Sequence, residues 1–446
     1  MNTRETLDLL REYESRNVLF TEPDGSWPIV WERAKGVNVW DAEGKKYLDL
    51  TAAFGVAAAG HANPRVVKAG QEQMETLMHA MGDVHPHARK AELARELSRI
   101  TFERWSGELL KNPKLQTAKT IFCNSGFEAV EAALKTAMLT AGKYGVIAFQ
   151  GGYHGLGYGT LNTTHRELFR APFRLQLREF GNFVQFPTRA ADLPVVETLM
   201  RRAFQRGWVG AVLVEPIQAR GGINVPPDGF LPLLRRLCDE HKALLILDEI
   251  YTGFGRTGKW FACEHSGVTP DIICLGKALT GGFPLSACVG RADVMDAAWP
   301  HSRGEAMHTS TFLGNPVGCA MALAQIGEIR EHELPDRAAK LGEFLLAELS
   351  RIQHAAPQQT EGGAPKPTVA ARGVGLMAGL DFRQANGAPD GETAIRIIKG
   401  MLREGYILLP EGEHGNVVSL TPPLTITKAQ LTETLDALEK VLHETL

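Results

Sequence analysis

The chain has no apolar stretch near the roughly 18 residues a membrane-spanning helix requires, so nothing in it asks for a bilayer. It has no basic block and no acidic tail: 48 Lys and Arg stand against 51 Asp and Glu, for a net charge of −3. That balance offers no footprint for nucleic acid or an anionic membrane surface. Its six cysteines are scattered without a C-x-x-C pair, which argues against a disulfide scaffold and for buried free thiols in a reducing compartment. No H-E-x-x-H pattern occurs, and "HPH" at 85–87 lacks partners at ligand spacing, so no metal site is expected. The opening segment "MNTRETLDLLREYESRN" is charged throughout and offers no secretory h-region, so a cytoplasmic location is expected. No internal repeat is visible.

What is present is ordinary globular composition, 44% hydrophobic and 22% charged, over 446 residues. That length exceeds what one core usually serves, so two domains are expected. From about residue 118 to 290, short apolar runs alternate with helical patterns. The runs "KTIFC", "GVIAF", "GAVLV", "ALLIL" and "DIICL" are continuous, as strands covered on both faces of a parallel sheet should be. One intervening helix, over 126–140, carries Val130, Ala133, Leu134, Ala137 and Met138 on an expected inner face. This alternation predicts an α/β fold with a large, mostly parallel-sheet domain over 61–325. A smaller α+β domain is expected from 326–446, joined by the N-terminal segment 1–60, where "VWDAEGKKYLDL" reads as a hairpin. Within it we expect a helix over 326–352, a mobile surface loop "QHAAPQQTEGGAPKP", a helix over 392–404, and a final helix opened by Thr427 and Gln430 as a capping box.

The chemistry-bearing residues follow the strands. "NSGFEA", "QGGYHG", "EPIQ", "DEIY" and "GKALTGG" succeed the five runs, at the carboxyl ends where open α/β sheets bind ligands. Alone, Asp248 reads as an N-cap or ion pair, and Lys277 is one basic residue among 48. Together, at the ends of neighbouring strands, they are the pair that pyridoxal phosphate (PLP) requires. An aspartate faces the ring nitrogen, and a desolvated lysine bonds to the aldehyde. Ser125 and Gly126 open a helix whose free N–H groups favour a phosphate, although an ordinary capped helix reads the same way. Tyr153 and His154 lie in a glycine turn, with an aromatic face suited to a flat cofactor.

The ordered set "NSGFEAVEAALKTA", "FQGGYHG", "VEPIQ", "LDEIYTGFGRTG", "LGKALTGG" and "HTSTFLGNP" closely resembles the class III, omega-type, PLP-dependent aminotransferases, from about residue 30 onward. The resemblance implies fold type I and a homodimer with active sites at the subunit interface. It implies that Lys277 holds the cofactor and shuttles the proton, and that Asp248 partners the ring nitrogen. Ile250 would pack one ring face and Tyr153 the other, with His154 alongside. Ser125, Gly126 and the Phe127 backbone would hold the phosphate, and Thr311 would reach it from the other subunit. Glu215 matches the family's gate position, and Phe54 its pocket wall. Three positions depart from the family pattern: Phe127 replaces a small residue, Tyr251 a frequent Gln near the ring oxygen, and Ser419 an Arg that clamps substrate carboxylates.

The loss of that Arg implies a substrate without a carboxylate there, or one held by another Arg. It leaves Glu215 free, and Glu411 and Glu413 add acid near the expected mouth. The predicted reaction moves an amino group from a primary-amine, omega-amino or polyamine-like donor to a keto-acid or aldehyde acceptor. A same-family epimerase, aminomutase or decarboxylase, or an aminotransferase acting on an amino sugar, shares these motifs and stays open.

Overall fold

A computed structural model describes residues 1–22, 25–109, 116–355 and 368–446. Its centre is a seven-stranded sheet with strands in the order Ala118–Cys123, Ser286–Arg291, Ile272–Leu275, Leu244–Asp248, Val209–Val214, Gly145–Phe149 and Gly181–Val184. All neighbours are parallel except Ser286–Arg291, which runs against both of its partners. The five continuous apolar runs all became strands of this sheet, and every residue of Val209–Val214 and Gly145–Phe149 is buried. Because the five run in one direction, their carboxyl ends share one edge.

Two strands were not expected from the sequence. Gly181–Val184 is a four-residue edge strand whose residues are mostly half-buried. Ser286–Arg291 reads "SACVGR", in which small residues dilute the apolar signal that marks its neighbours. Its reversed direction inserts it between Ala118–Cys123 and Ile272–Leu275, so the sheet is mixed rather than purely parallel.

The helix Gly126–Ala141 lays Ala129, Val130, Ala133, Leu134 and Ala137 against the sheet. Met138, expected on this face, is about half exposed. At 3.6 residues per turn it falls about 140° around the axis from Ala133, off the buried stripe. The single helix expected over 326–352 is two, Pro316–Glu331 and Leu334–Ala355, broken where Glu333 takes a left-handed φ of 47°. The expected loop after it lies, from 356 to 367, outside the described residues.

The hairpin in "VWDAEGKKYLDL" is present as Asn38–Asp41 against Lys46–Asp49, its turn held by Asp41 Oδ1, which accepts the N–H groups of Glu43 and Lys45. Lys46–Asp49 also pairs in parallel with Tyr406–Ile407, tying the N-terminal strands to the C-terminal region. A second four-stranded sheet runs in the order Thr368–Val374, Met377–Arg383, Val417–Leu420 and Leu409–Glu411. The helix expected over 392–404 is Gly391–Arg403. The closing helix Lys428–Thr445 is capped by Thr427 and Gln430 and buries Leu431, Leu435, Leu438 and Leu442. All six cysteines are free and buried. Among the described residues no helix is long and apolar enough to cross a membrane.

Candidate active site

At the carboxyl edge of the sheet, Leu244–Asp248 ends in two acids that the alternation of a strand sends to opposite faces. Asp248 is buried, with Oδ2 2.8 Å from His154 Nδ1 and Oδ1 accepting the Ile250 N–H at 3.2 Å. Glu249 points away. Its Oε2 accepts the Thr252 hydroxyl at 2.8 Å and the Ala262 N–H at 2.7 Å, and its Oε1 accepts the Cys263 N–H at 2.9 Å. It caps the short helix Ala262–Ser266 rather than facing the site. Burial pushes its carboxyl up to about 7, against those three donors.

Lys277 follows the next strand, Ile272–Leu275, with a left-handed φ of 38°. Desolvation lowers its pKa, while Asp248, Glu215 and Glu411 pull it back up. Its Nζ lies 4.6 Å from the Tyr251 ring centroid. The Tyr251 hydroxyl is 3.1 Å from Thr421 Oγ1, so the phenol is anchored to the segment that follows Val417–Leu420.

The first turn of Gly126–Ala141 faces the same space. Glu128 accepts the N–H groups of Asn124 and Ser125 at 2.7 and 2.9 Å, yet Ser125 Oγ is buried without a partner. At Gly126 an added Cβ would come within 3.0 Å of Ile250 Cδ1, and at Gly155, whose φ is 108°, within 2.2 Å of Phe127 Cβ. An orphaned hydroxyl beside free helix N–H groups, with glycines holding the backbone close, fits a phosphate.

These residues enclose a cavity of about 360 Å³. Gly126, Phe127, Tyr153 and His154 line it with Glu215, Asp248, Ile250, Tyr251 and Lys277. Glu215, directly after Val209–Val214, is locked by the N–H groups of Tyr153 and Ala219 at 3.0 and 3.1 Å, and burial pushes it up to about 7. His154 is set behind the aspartate, hydrogen-bonded to it, rather than offered as a free stacking face.

Four expected residues do not line the cavity of their own chain: Ser125, Thr311, Phe54 and Ser419. Thr311 is exposed on the loop before Pro316–Glu331, and Phe54 is 54% exposed at a left-handed bend that includes Ala52 and Ala53. Ser419 is buried in its sheet, donating to the Leu409 carbonyl at 3.1 Å. Three lining residues were not singled out from the sequence: Leu156, Ala219 and Arg220. Arg220 sits five residues past Glu215, its Cζ 4.9 Å from the Tyr153 ring centroid. Nothing local in "QARGG" marks that Arg220, whose side chain is 42% exposed, also lines the cavity. Glu411, read as part of an acidic loop at the mouth, is buried and close enough to Lys277 to raise its pKa; Glu413 is exposed.

Fold and site together point to an α/β enzyme: a buried aspartate, a desolvated lysine and a helix start with an unpartnered hydroxyl meet at one sheet edge. The family model described as aminotransferase class-III matches residues 20–442. Acetylornithine aminotransferase of Methanosarcina mazei is 37% identical over 433 residues, 97% of this chain and 96% of that protein. Putrescine aminotransferase of Pectobacterium atrosepticum is 37% identical over 452 residues, 99% of this chain and 89% of that protein. A crystal structure of ornithine aminotransferase from Toxoplasma gondii, with PLP partly occupying its active site, superposes with a TM-score of 0.82 at 28% identity, covering 99% of this chain and 94% of that one. The chain belongs to the class III aminotransferases, and its cofactor is PLP.

Proposed function

We propose that the chain moves an amino group from an omega-amino, diamine or other primary-amine donor to a 2-oxo acid, by a ping-pong sequence. The observation that carries this reading is the charge around Lys277: three carboxylates, Asp248, Glu215 and Glu411, influence its ammonium, and position 419 holds no arginine. Putrescine and acetylornithine, named in two of the relatives, are the kind of substrate whose reacting amine sits at the end of a chain.

When bound, PLP supplies an aldehyde that bonds to amines and a ring that draws electrons from the substrate's reacting carbon. The protein does the rest. Asp248, steadied by His154 and Ile250 N–H, holds a negative charge where the ring nitrogen would lie. The helix start at Ser125, Gly126 and Phe127 holds the phosphate. Ile250 and Tyr153, both on the cavity wall, would pack against the ring and exclude water. Lys277 Nζ, desolvated and therefore readily deprotonated, would take the proton from the substrate's reacting carbon and hold it for return. Glu215, fixed by two backbone donors, holds its carboxyl on the cavity wall near Lys277.

The enzyme works as a homodimer in the cytoplasm, with Thr311 reaching the phosphate in the partner's site and Phe54 walling a substrate channel. Incubation of the PLP enzyme with a panel of donors, read by the shift of cofactor absorbance to the pyridoxamine form, tests the reading. Diamines and omega-amino acids should convert the enzyme faster than 2-amino acids. A 2-amino acid preferred in both half-reactions sinks it, and no shift with any donor would favour an epimerase or mutase outcome.

A further inference from the structure

An enzyme that takes a cationic donor and an anionic acceptor in turn must satisfy opposite charges at one place. Position 419 supplies no cation, so the anion's partner has to come from elsewhere. Arg256 donates from Nη1 to the carbonyls of Leu376 and Pro422, and although its buried Nη2 has no partner it does not line the cavity. Arg372 is held by Asp381 and the Gly222 carbonyl. Arg166 donates to the Gly412 carbonyl. Arg220 differs from all three, because it lines the cavity and its charge opposes protonation of Lys277.

Its relation to Glu411 is close but loose. The two backbones are stitched together, since the Gly412 N–H donates to the Arg220 carbonyl at 3.1 Å. The side chains are not: Nε and Oε2 stand 4.0 Å apart, beyond the roughly 2.7–2.9 Å of a charge-assisted hydrogen bond. The resting pair therefore compensates a buried carboxylate without locking either group, and a substrate charge can displace one member from the other. Tyr153 provides the guanidinium with a face to rest on meanwhile.

Resting on the amine-to-keto-acid reading above, we propose that Arg220 and Glu411 form a two-way substrate selector that replaces the missing arginine. Glu411 receives the distal ammonium of the donor, and Arg220 receives the carboxylate of the acceptor. The anion site has thus moved from the small-domain strand to the loop after Glu215, and the small domain contributes acid instead.

The test uses PLP-loaded enzyme and compares substrates that differ by one charge. In Arg220→Gln, the KM for pyruvate relative to that for butanal should rise roughly 10- to 100-fold, the scale of one lost charged hydrogen bond. The affinity for unreactive propionate, measured by calorimetry, should fall by a similar factor, and Arg220→Lys should recover part of both. In Glu411→Gln, the KM for 1,5-diaminopentane relative to that for pentylamine should rise about 10-fold, with little change in the pyruvate-to-butanal ratio. Equal losses for charged and uncharged substrates, or unchanged ratios, would overturn the proposal. Should the Gln variants fail to fold or keep PLP, Arg220→Lys and Glu411→Asp carry the same ratios. A wild-type enzyme that takes no diamine removes the donor reading and the Glu411 half with it. The acceptor comparison, run with any amine that converts the enzyme, then judges Arg220 separately.

Discussion

Replacing His154 by Phe keeps a ring in the space behind Asp248 and deletes the donor 2.8 Å from its Oδ2. Both groups are buried, so no water can take over the lost bond. Asp248 would retain only the longer Ile250 N–H, on its other oxygen. A hydrogen bond to a charged group contributes about 1.5–3 kcal/mol, so PLP should bind the variant roughly 10- to 150-fold more weakly. Asp248→Asn removes the charge itself and should cost at least as much. If His154 acts only through Asp248, the double variant should be little worse than Asp248→Asn alone, leaving a coupling energy near the full single-variant effect. The assay is spectroscopic titration of each apoenzyme with PLP, with kcat/KM of the donor half-reaction as a second reading. Additivity within about 0.5 kcal/mol would refute the reasoning, because it would mean His154 touches the cofactor independently or not at all.

Glu249→Gln should destabilise the apoenzyme by about 1–3 kcal/mol at pH 5, because an amide nitrogen must face one of the backbone N–H groups that a carboxyl oxygen now accepts. Glu249 titrates at about 7 in the fold and at 4.5 when unperturbed, so wild-type stability is full below the lower value and falls as pH rises through the higher one. The gap between the two proteins, measured by urea unfolding, should therefore narrow by pH 8; a constant gap would contradict the burial argument. Gly126→Val would drive a branched side chain into Ile250, 3.0 Å from the new Cβ, and should weaken PLP binding at least 10-fold by titration. Burial and Glu215 push Glu411 up to about 7, against the pull of Arg220, Lys277 and Arg166. Its negative charge is thus lost as pH falls below neutral, and KM for a diamine should rise from pH 8 to 6 more steeply than KM for a monoamine. Parallel pH profiles would contradict the placement of the distal ammonium.

The parts of the site legible in the sequence are those that local chain geometry decides. A continuous apolar run fixes where a buried strand ends, which places Asp248 and, with one residue between it and its strand, Lys277 at the sheet edge; their roles came from their pairing and from the resemblance. Gly126 was legible because a helix start and a close approach are local requirements, and Thr427 with Gln430 for the same reason. The strand Ser286–Arg291 was not, because its stability comes from two neighbours rather than from its own diluted apolar pattern. Arg220 was illegible for a stronger version of that reason, and Glu411, expected as acid near the mouth, gave no sign of its burial. Arg220 sits in a polar loop and Glu411 at the end of the short strand Leu409–Glu411, and only the backbone contact between the two segments, the Gly412 N–H on the Arg220 carbonyl, turns them into neighbours. Their meaning is set by a vacancy of charge elsewhere. Ser419 spends its hydroxyl on the Leu409 carbonyl and leaves the anion's place unfilled, so selection at this site depends on a pair assembled across the fold. Restoring the missing cation with Ser419→Arg should then compete with Arg220 for Glu411. If the restored cation instead left the pyruvate-to-butanal KM ratio of an Arg220→Gln enzyme unrescued, carboxylate recognition would depend on the loop geometry around Arg220 and not on charge alone.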